Sequence, residues 1–82
     1  MISDQYSFEN EKLRSLLKEA RRRAGLTQEQ LAKKLDVPQS WVSKIESGER
    51  VLSFVEVRVL CVALGTSLRK FIAEYERSLD EG

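Results

Sequence analysis

The stretch from Thr27 to Gly48, TQEQLAKKLDVPQSWVSKIESG, constrains this chain more than any other. It reads as two short helices joined by a tight turn. Thr27 is placed to cap the first helix, and Gln30 three residues later can reach back to complete a capping box. Leu31, Ala32 and Leu35 then fall on one face at helical spacing. Asp36, Val37 and Pro38 interrupt the pattern. Asp tolerates the left-handed backbone that a tight inter-helix turn needs. Pro38 suits the first position of a new helix and excludes the helical conformation from Val37. In the second helix Val42 and Ile45 point inward, and Ser47-Gly48 ends it with Gly48 free to take a positive φ.

Ala32 lies on the side of the first helix that faces the second. Two helices that cross steeply through a short turn need close backbone approach at one point, and a large side chain there would push them apart. The second helix leaves Gln39, Ser40, Ser43 and Lys44 pointing outward. These side chains are short or flexible and rich in donors and acceptors, as contact with base edges and phosphates in a major groove requires.

LTQEQLAKKLDVPQSWVSKIESGER resembles the helix-turn-helix of the XRE, or Cro/cI-type, repressor family. The resemblance rests on apolar residues at Leu31, Leu35, Val37, Val42 and Ile45, on Ala32 between them, and on TQxxLA followed by SKIExGxR. It runs from about Leu13 to Ile72. It implies a compact all-α, lambda-repressor-like domain of five helices that binds DNA. Two residues depart from the family pattern. Asp36 stands where Gly is usual, and Trp41 where Tyr or a polar residue is common.

With 82 residues the chain makes one small domain, residues 9–79, with no room for a separate catalytic or ligand-binding unit. No apolar run approaches the ~20 residues that span a membrane, and no signal-peptide pattern opens the sequence. The single cysteine, Cys61, cannot form an internal disulfide, which suits a reducing cytoplasm. Chemistry has few candidates. There is no His, so the commonest general base is absent. Cys61 falls on a core face, where a thiol behaves as a small apolar residue. No Cys/His set exists for zinc, and the carboxylates are dispersed with no Gly-rich loop beside them. A binding domain without metal or cofactor is expected, not an enzyme. The net charge of +1 says little, but its distribution says more. Ten Lys/Arg face five Asp/Glu between Lys12 and Arg50, against four and five from Val51 onward. The basic excess coincides with the two-helix stretch.

Taken in order, residues 1–8 read as a flexible lead, with Tyr6 or Phe8 available to rest on the domain. The first helix should begin near Ser7 to Asn10, with Leu13, Leu16, Leu17, Ala20 and Ala24 as its buried stripe and Gly25 as its cap. Arg21, Arg22 and Arg23 occupy its last turns, where cations complement the dipole. The motif, residues 27–48, supplies the second and third helices. Leu52 anchors the following loop. Ser53 with Glu56 makes a second capping box. Phe54, Val57, Leu60, Cys61 and Leu64 form the core stripe of the fourth helix, which Gly65 ends. The fifth starts near Ser67, with Leu68, Phe71, Ile72, Tyr75 and Leu79 at helical spacing, and residues 80–82 read as a fraying tail.

The resemblance and the side-chain chemistry together assign roles. Gln39 begins the recognition helix, about residues 38–47, and its amide can pair bidentately with adenine. Ser40 and Ser43 offer hydroxyls to base or phosphate, and Lys44 reaches guanine acceptors or a phosphate. Gln28, at the start of the second helix, and Arg50, just past the third, are expected at the DNA backbone. So is Arg21, whose alternative is dipole complement and solubility. Glu46, whose counterpart in relatives is usually structural, is assigned to hydrogen bonding within the domain. Trp41 has two readings: packing against the second helix or the loop near Arg50, or contact with sugar-phosphate or a thymine methyl.

A symmetric operator requires a dimer. Val55, Val59 and Val62 form a second apolar face on the fourth helix, with Tyr75 and Leu79 of the fifth nearby. Either a second subunit covers that face or the fifth helix does so within the monomer. The expected function is therefore sequence-specific binding of a double-stranded DNA operator by a homodimeric cytoplasmic transcriptional regulator of prokaryotic type, a repressor or a protein that contacts polymerase. The alternative is the antitoxin of a toxin–antitoxin pair, which would bind a partner toxin as well as its own operator.

Overall fold

The computed structural model describes residues 7–81. Five helices follow one another: α1 (Ser7–Arg23), α2 (Gln28–Leu35), α3 (Gln39–Ser47), α4 (Phe54–Ala63) and α5 (Leu68–Glu81). Among the described residues there is no strand, so the all-α five-helix expectation holds. None of these helices is long and apolar enough to cross a membrane. Helix α3 packs on α2 and α1, α5 packs on α1 and α4, and α2 also meets α4. Leu17, Leu31, Ala32, Val42, Ile45, Val57, Leu60, Cys61, Leu64 and Phe71 meet in a single core.

Both capping boxes form. Thr27 Oγ1 accepts from Gln30 N and Gln30 Oε1 accepts from Thr27 N, and Ser53 and Glu56 make the same reciprocal pair. Helices α1, α2 and α4 end alike. A left-handed residue sends its own N–H to one carbonyl while the next residue's N–H reaches a carbonyl five positions back, as in Val37 N to Ala32 O at 3.0 Å. At α2 the left-handed position is held by Asp36, with φ 59° and ψ 47°; it is the one described non-glycine with positive φ. A short polar side chain tolerates that conformation, which is why the turn closes without the usual glycine. Gly48 ends α3 at φ 89°. A Cβ there would also lie 2.9 Å from the Arg14 guanidinium carbon.

Several boundaries and faces differ from expectation. Helix α1 begins at Ser7, within the expected Ser7 to Asn10, so Ser7 and Phe8 belong to it and not to the lead, and Asp80 and Glu81 belong to α5 and not to a tail. The rest of the expected lead, Tyr6 included, and Gly82 lie outside the described residues. Pro38 is the N-cap of α3, not its first residue, so the recognition helix is Gln39–Ser47. Ala24 is exposed because α1 stops one residue before it and the chain turns at Gly25. Phe54 is exposed, not core. As the first residue of α4 its Cβ leans toward the helix N-terminus and carries the ring past the end of the core. Val55, Val59 and Val62 remain exposed although α5 packs on α4, so α5 does not cover them.

Ala32 is 2 % exposed in the core, on α2, which packs on α3; the sequence places it at their crossing. Ala32→Leu should overpack that contact at a cost of about 1–3 kcal/mol. A thermal melt should then fall by about 4–8 °C per kcal/mol for a domain of this size. An unchanged melt would place the closest approach elsewhere.

Candidate nucleic-acid interface

Helix α3 has three kinds of surface. At about 100° per residue, Val42 and Ile45 face the core while Gln39, Ser40, Ser43, Lys44 and Ser47 share the opposite side. Gln39, Ser40 and Lys44 are exposed and Ser43 is half-buried. Trp41 and Glu46 fall on the two edges between, and each edge is clamped differently.

On one edge Glu46 reaches into the domain. Its carboxylate accepts from Arg21 Nε at 2.7 Å and Arg21 Nη2 at 3.0 Å, a two-point ion pair between α1 and α3. Arg21 Nη1 also donates to the Leu26 carbonyl at 2.8 Å. The two side chains are only 10 % and 7 % exposed. Hydrogen bonding to Glu46 raises the Arg21 pKa further above its ordinary value, against the opposing effect of burial. For Glu46, burial pushes the pKa up, but hydrogen bonds from Arg21 and Gln28 and the Arg21 charge outweigh it and hold it below the ordinary carboxylate value. Glu46 is thus the intradomain partner expected of it. Arg21, expected at the DNA backbone, is instead turned inward with all three guanidinium nitrogens committed. The sequence held a signal for this: Arg21 continues the Leu13, Leu17 stripe at intervals of four, so its charge falls at a core position and demands a buried partner.

Gln28 Nε2 donates to Glu46 Oε1 at 2.9 Å, and Gln28 Oε1 accepts from Gln39 Nε2 at 2.9 Å. The expected backbone contact and the expected base reader are therefore joined directly. Among the described residues no buried side-chain nitrogen or oxygen lacks a partner.

On the other edge the Trp41 ring is half-buried against the core, with the Arg50 guanidinium 5.1 Å from its centre. Arg50 also donates to Glu56 Oε2 at 2.8 Å. Trp41 thus packs against the loop near Arg50. Ser40, Trp41, Lys44 and Arg50 line one shallow cleft with Glu49. The N-terminus of α3 has no side-chain cap; the Trp41 N–H donates to the Pro38 carbonyl at 2.9 Å.

Elsewhere Cys61 is fully buried and burial raises its thiol pKa. Among the described residues no three His, Cys, Asp or Glu side chains gather where a metal could be held.

The sequence profile of the helix-turn-helix domain family matches residues 12–70. Among solved structures, an XRE-family like protein from Pseudomonas syringae pv. tomato str. DC3000 is 38% identical, with a TM-score of 0.83 over 89% of each chain. The wild-type restriction-modification controller protein C.Esp1396I is 26% identical, with a TM-score of 0.81 over 88% of this chain and 95% of that one. A point mutant of that controller matches with a TM-score of 0.83 at 26% identity, over 90% and 96% of the two chains. No curated protein is significantly similar.

The lowered carboxyl of Glu46 carries a sign. A group whose folded pKa lies below its unfolded value of about 4.3 adds stability that is present above that pH and lost as pH falls through the folded value. Glu56, lowered by the Ser53 backbone N–H and by Arg50, acts in the same direction. Thermal melts should be level near neutrality and fall below about pH 4.3. Glu56→Gln should make that fall shallower; an equal slope would remove Glu56 from the account.

Proposed function

The chain belongs to the XRE-type helix-turn-helix family of DNA-binding transcriptional regulators, and from that premise we propose that it binds one operator sequence as a homodimer, with α3 of each subunit in a major-groove half-site. The observation that carries this reading is the polar outward side of α3. Gln39, Ser40, Ser43 and Lys44 share it, while the opposite side of the helix supports the core. Gln39 and Lys44 suit adenine and guanine edges respectively, and the two serines suit base or phosphate. Gln28 and Arg50 flank that side, where phosphates would lie. Trp41 sits beside Arg50 at the same border. A cytoplasmic place of work is part of the proposal.

The dimer follows from α4. Val55, Val59 and Val62 are 69 %, 47 % and 60 % exposed, and Phe54 beside them is 68 % exposed. Val is a mediocre helix former, so propensity does not explain this apolar side. Phe54, Ile72 and Tyr75 share a neighbouring groove between α4 and α5, with half-buried Leu79 one turn further along α5. Tyr75 also donates its hydroxyl to the Glu9 carbonyl at 3.1 Å, tying α5 to α1. Two half-sites on one face of DNA call for two α3 helices about 34 Å apart, one helical turn.

Sites selected from random duplex DNA should be symmetric. Gln39→Ala should relax one position per half-site at a cost of about 1–3 kcal/mol there. An unchanged selected site would remove Gln39 from the readout.

The dimer has its own measurement. Val59→Asp with Val62→Lys should sediment as a folded monomer and bind the operator far more weakly. A double mutant that stays dimeric, or a wild type that is monomeric at working concentrations, would remove the pairing.

A further inference from the structure

Gln39 is the outer end of a hydrogen-bond chain that begins inside the protein. Arg21 donates twice to Glu46, Gln28 Nε2 donates to Glu46 Oε1, and Gln39 Nε2 donates to Gln28 Oε1. The chain has a polarity that follows from donor and acceptor types alone. An ionised carboxylate only accepts, so Glu46 can face only the NH2 end of Gln28. That turns the Gln28 carbonyl oxygen toward Gln39, and a carbonyl in turn takes only an N–H. Gln39 must therefore give its own NH2 end to Gln28. Its Oε1 and second N–H are left for whatever lies outside. Without Glu46, either amide could turn over at little cost, because the two ends of a glutamine side chain have the same shape.

We infer that Glu46, held in place by Arg21, is a positioning residue for base readout: through Gln28 it fixes which end of the Gln39 amide meets the DNA, and so makes Gln39 a reader of adenine and not of guanine. Adenine presents an N6–H donor beside the N7 acceptor, the complement of an outward oxygen and N–H. Guanine presents two acceptors, N7 and O6, and an outward carbonyl oxygen opposes one of them. The ion pair is two side chains removed from the groove, yet it carries sequence information. This inference rests on Gln39 being a base reader, as proposed above.

The test is selection of bound sites from random duplex DNA by four full-length chains: wild type, Gln39→Ala, Glu46→Gln and Gln28→Met, each with a thermal melt. Gln28 and Arg21 Nη2 share Glu46 Oε1, so in the Glu46→Gln chain an NH2 turned to Gln28 gives up the Arg21 Nη2 bond while the amide oxygen keeps the one from Arg21 Nε. The downstream amides are then no longer held to one direction. The wild type should prefer adenine by about 5- to 150-fold at the position that Gln39→Ala relaxes. Glu46→Gln should shift that one position toward guanine and leave the others as they were. Gln28→Met keeps the Arg21–Glu46 pair but breaks the chain, and should relax the same position while weakening all sites alike.

A folded Glu46→Gln chain that keeps the adenine preference, or loses affinity equally at every position, overturns the inference. If that chain does not fold, Gln28→Met decides alone, and an intact adenine preference there overturns it. A Gln39→Ala chain with unchanged sites would instead remove Gln39 as a reader, and the inference with it, a result distinguishable from failure of the chain alone.

Discussion

The pair between Arg21 and Glu46 brings two full charges to the edge of a small core; Arg21 is the one buried charged residue among those described. Each group would be strongly unfavourable if buried alone, and removing one partner of such a pair commonly costs about 3–5 kcal/mol. A domain of this size is stable by only about 5–15 kcal/mol. The pair also does something that an apolar contact could not. It ties α1 to α3 at a fixed rotation of α3 about its own axis, because both carboxylate oxygens are engaged by a planar guanidinium. That rotation decides which side chains of α3 face outward. On the other edge the Trp41–Arg50 stack and the Arg50–Glu56 pair hold the same helix from the side of α4.

The turn between α2 and α3 sets the remaining degrees of freedom. Ala32 is buried in the core, and its carbonyl receives the Val37 N–H that closes the turn. One small residue therefore serves both the core and the backbone geometry of the turn. Asp36 shows that the left-handed position needs tolerance of that backbone and not glycine as such.

Much of this was legible in the chain because it is local. Capping boxes, the Asp36–Pro38 break, and the alternation of Val42 and Ile45 with polar residues all lie within a few positions of one another. What periodicity alone did not reveal were contacts between distant positions and effects at helix ends. The run Arg21–Arg23 looks like a uniform surface cluster in the sequence, although only its first member falls on the buried stripe. Ala24 and Phe54 carry the right spacing but sit at or past a helix terminus, where the core no longer reaches. Gln28 and Gln39 each stand out as the first residue of a helix, yet their bond joins different helices across the turn, which no pattern of residue types encodes. The side of α4 formed by Val55, Val59 and Val62 was legible as apolar, and the fold adds that no part of the described chain covers it.

Trp41 is the only tryptophan in the sequence. Its indole is half-sunk in the core, covered by a guanidinium, and borders the cleft that holds Ser40 and Lys44. Indole emission is sensitive to nearby charge and to water. The chain thus contains an intrinsic optical probe with no competing tryptophan, seated between its hydrophobic centre and its polar outer helix. Loss of core packing and displacement of the Arg50 cover would change the environment of the same chromophore in different ways, so unfolding and events at the cleft can be followed on unlabelled protein.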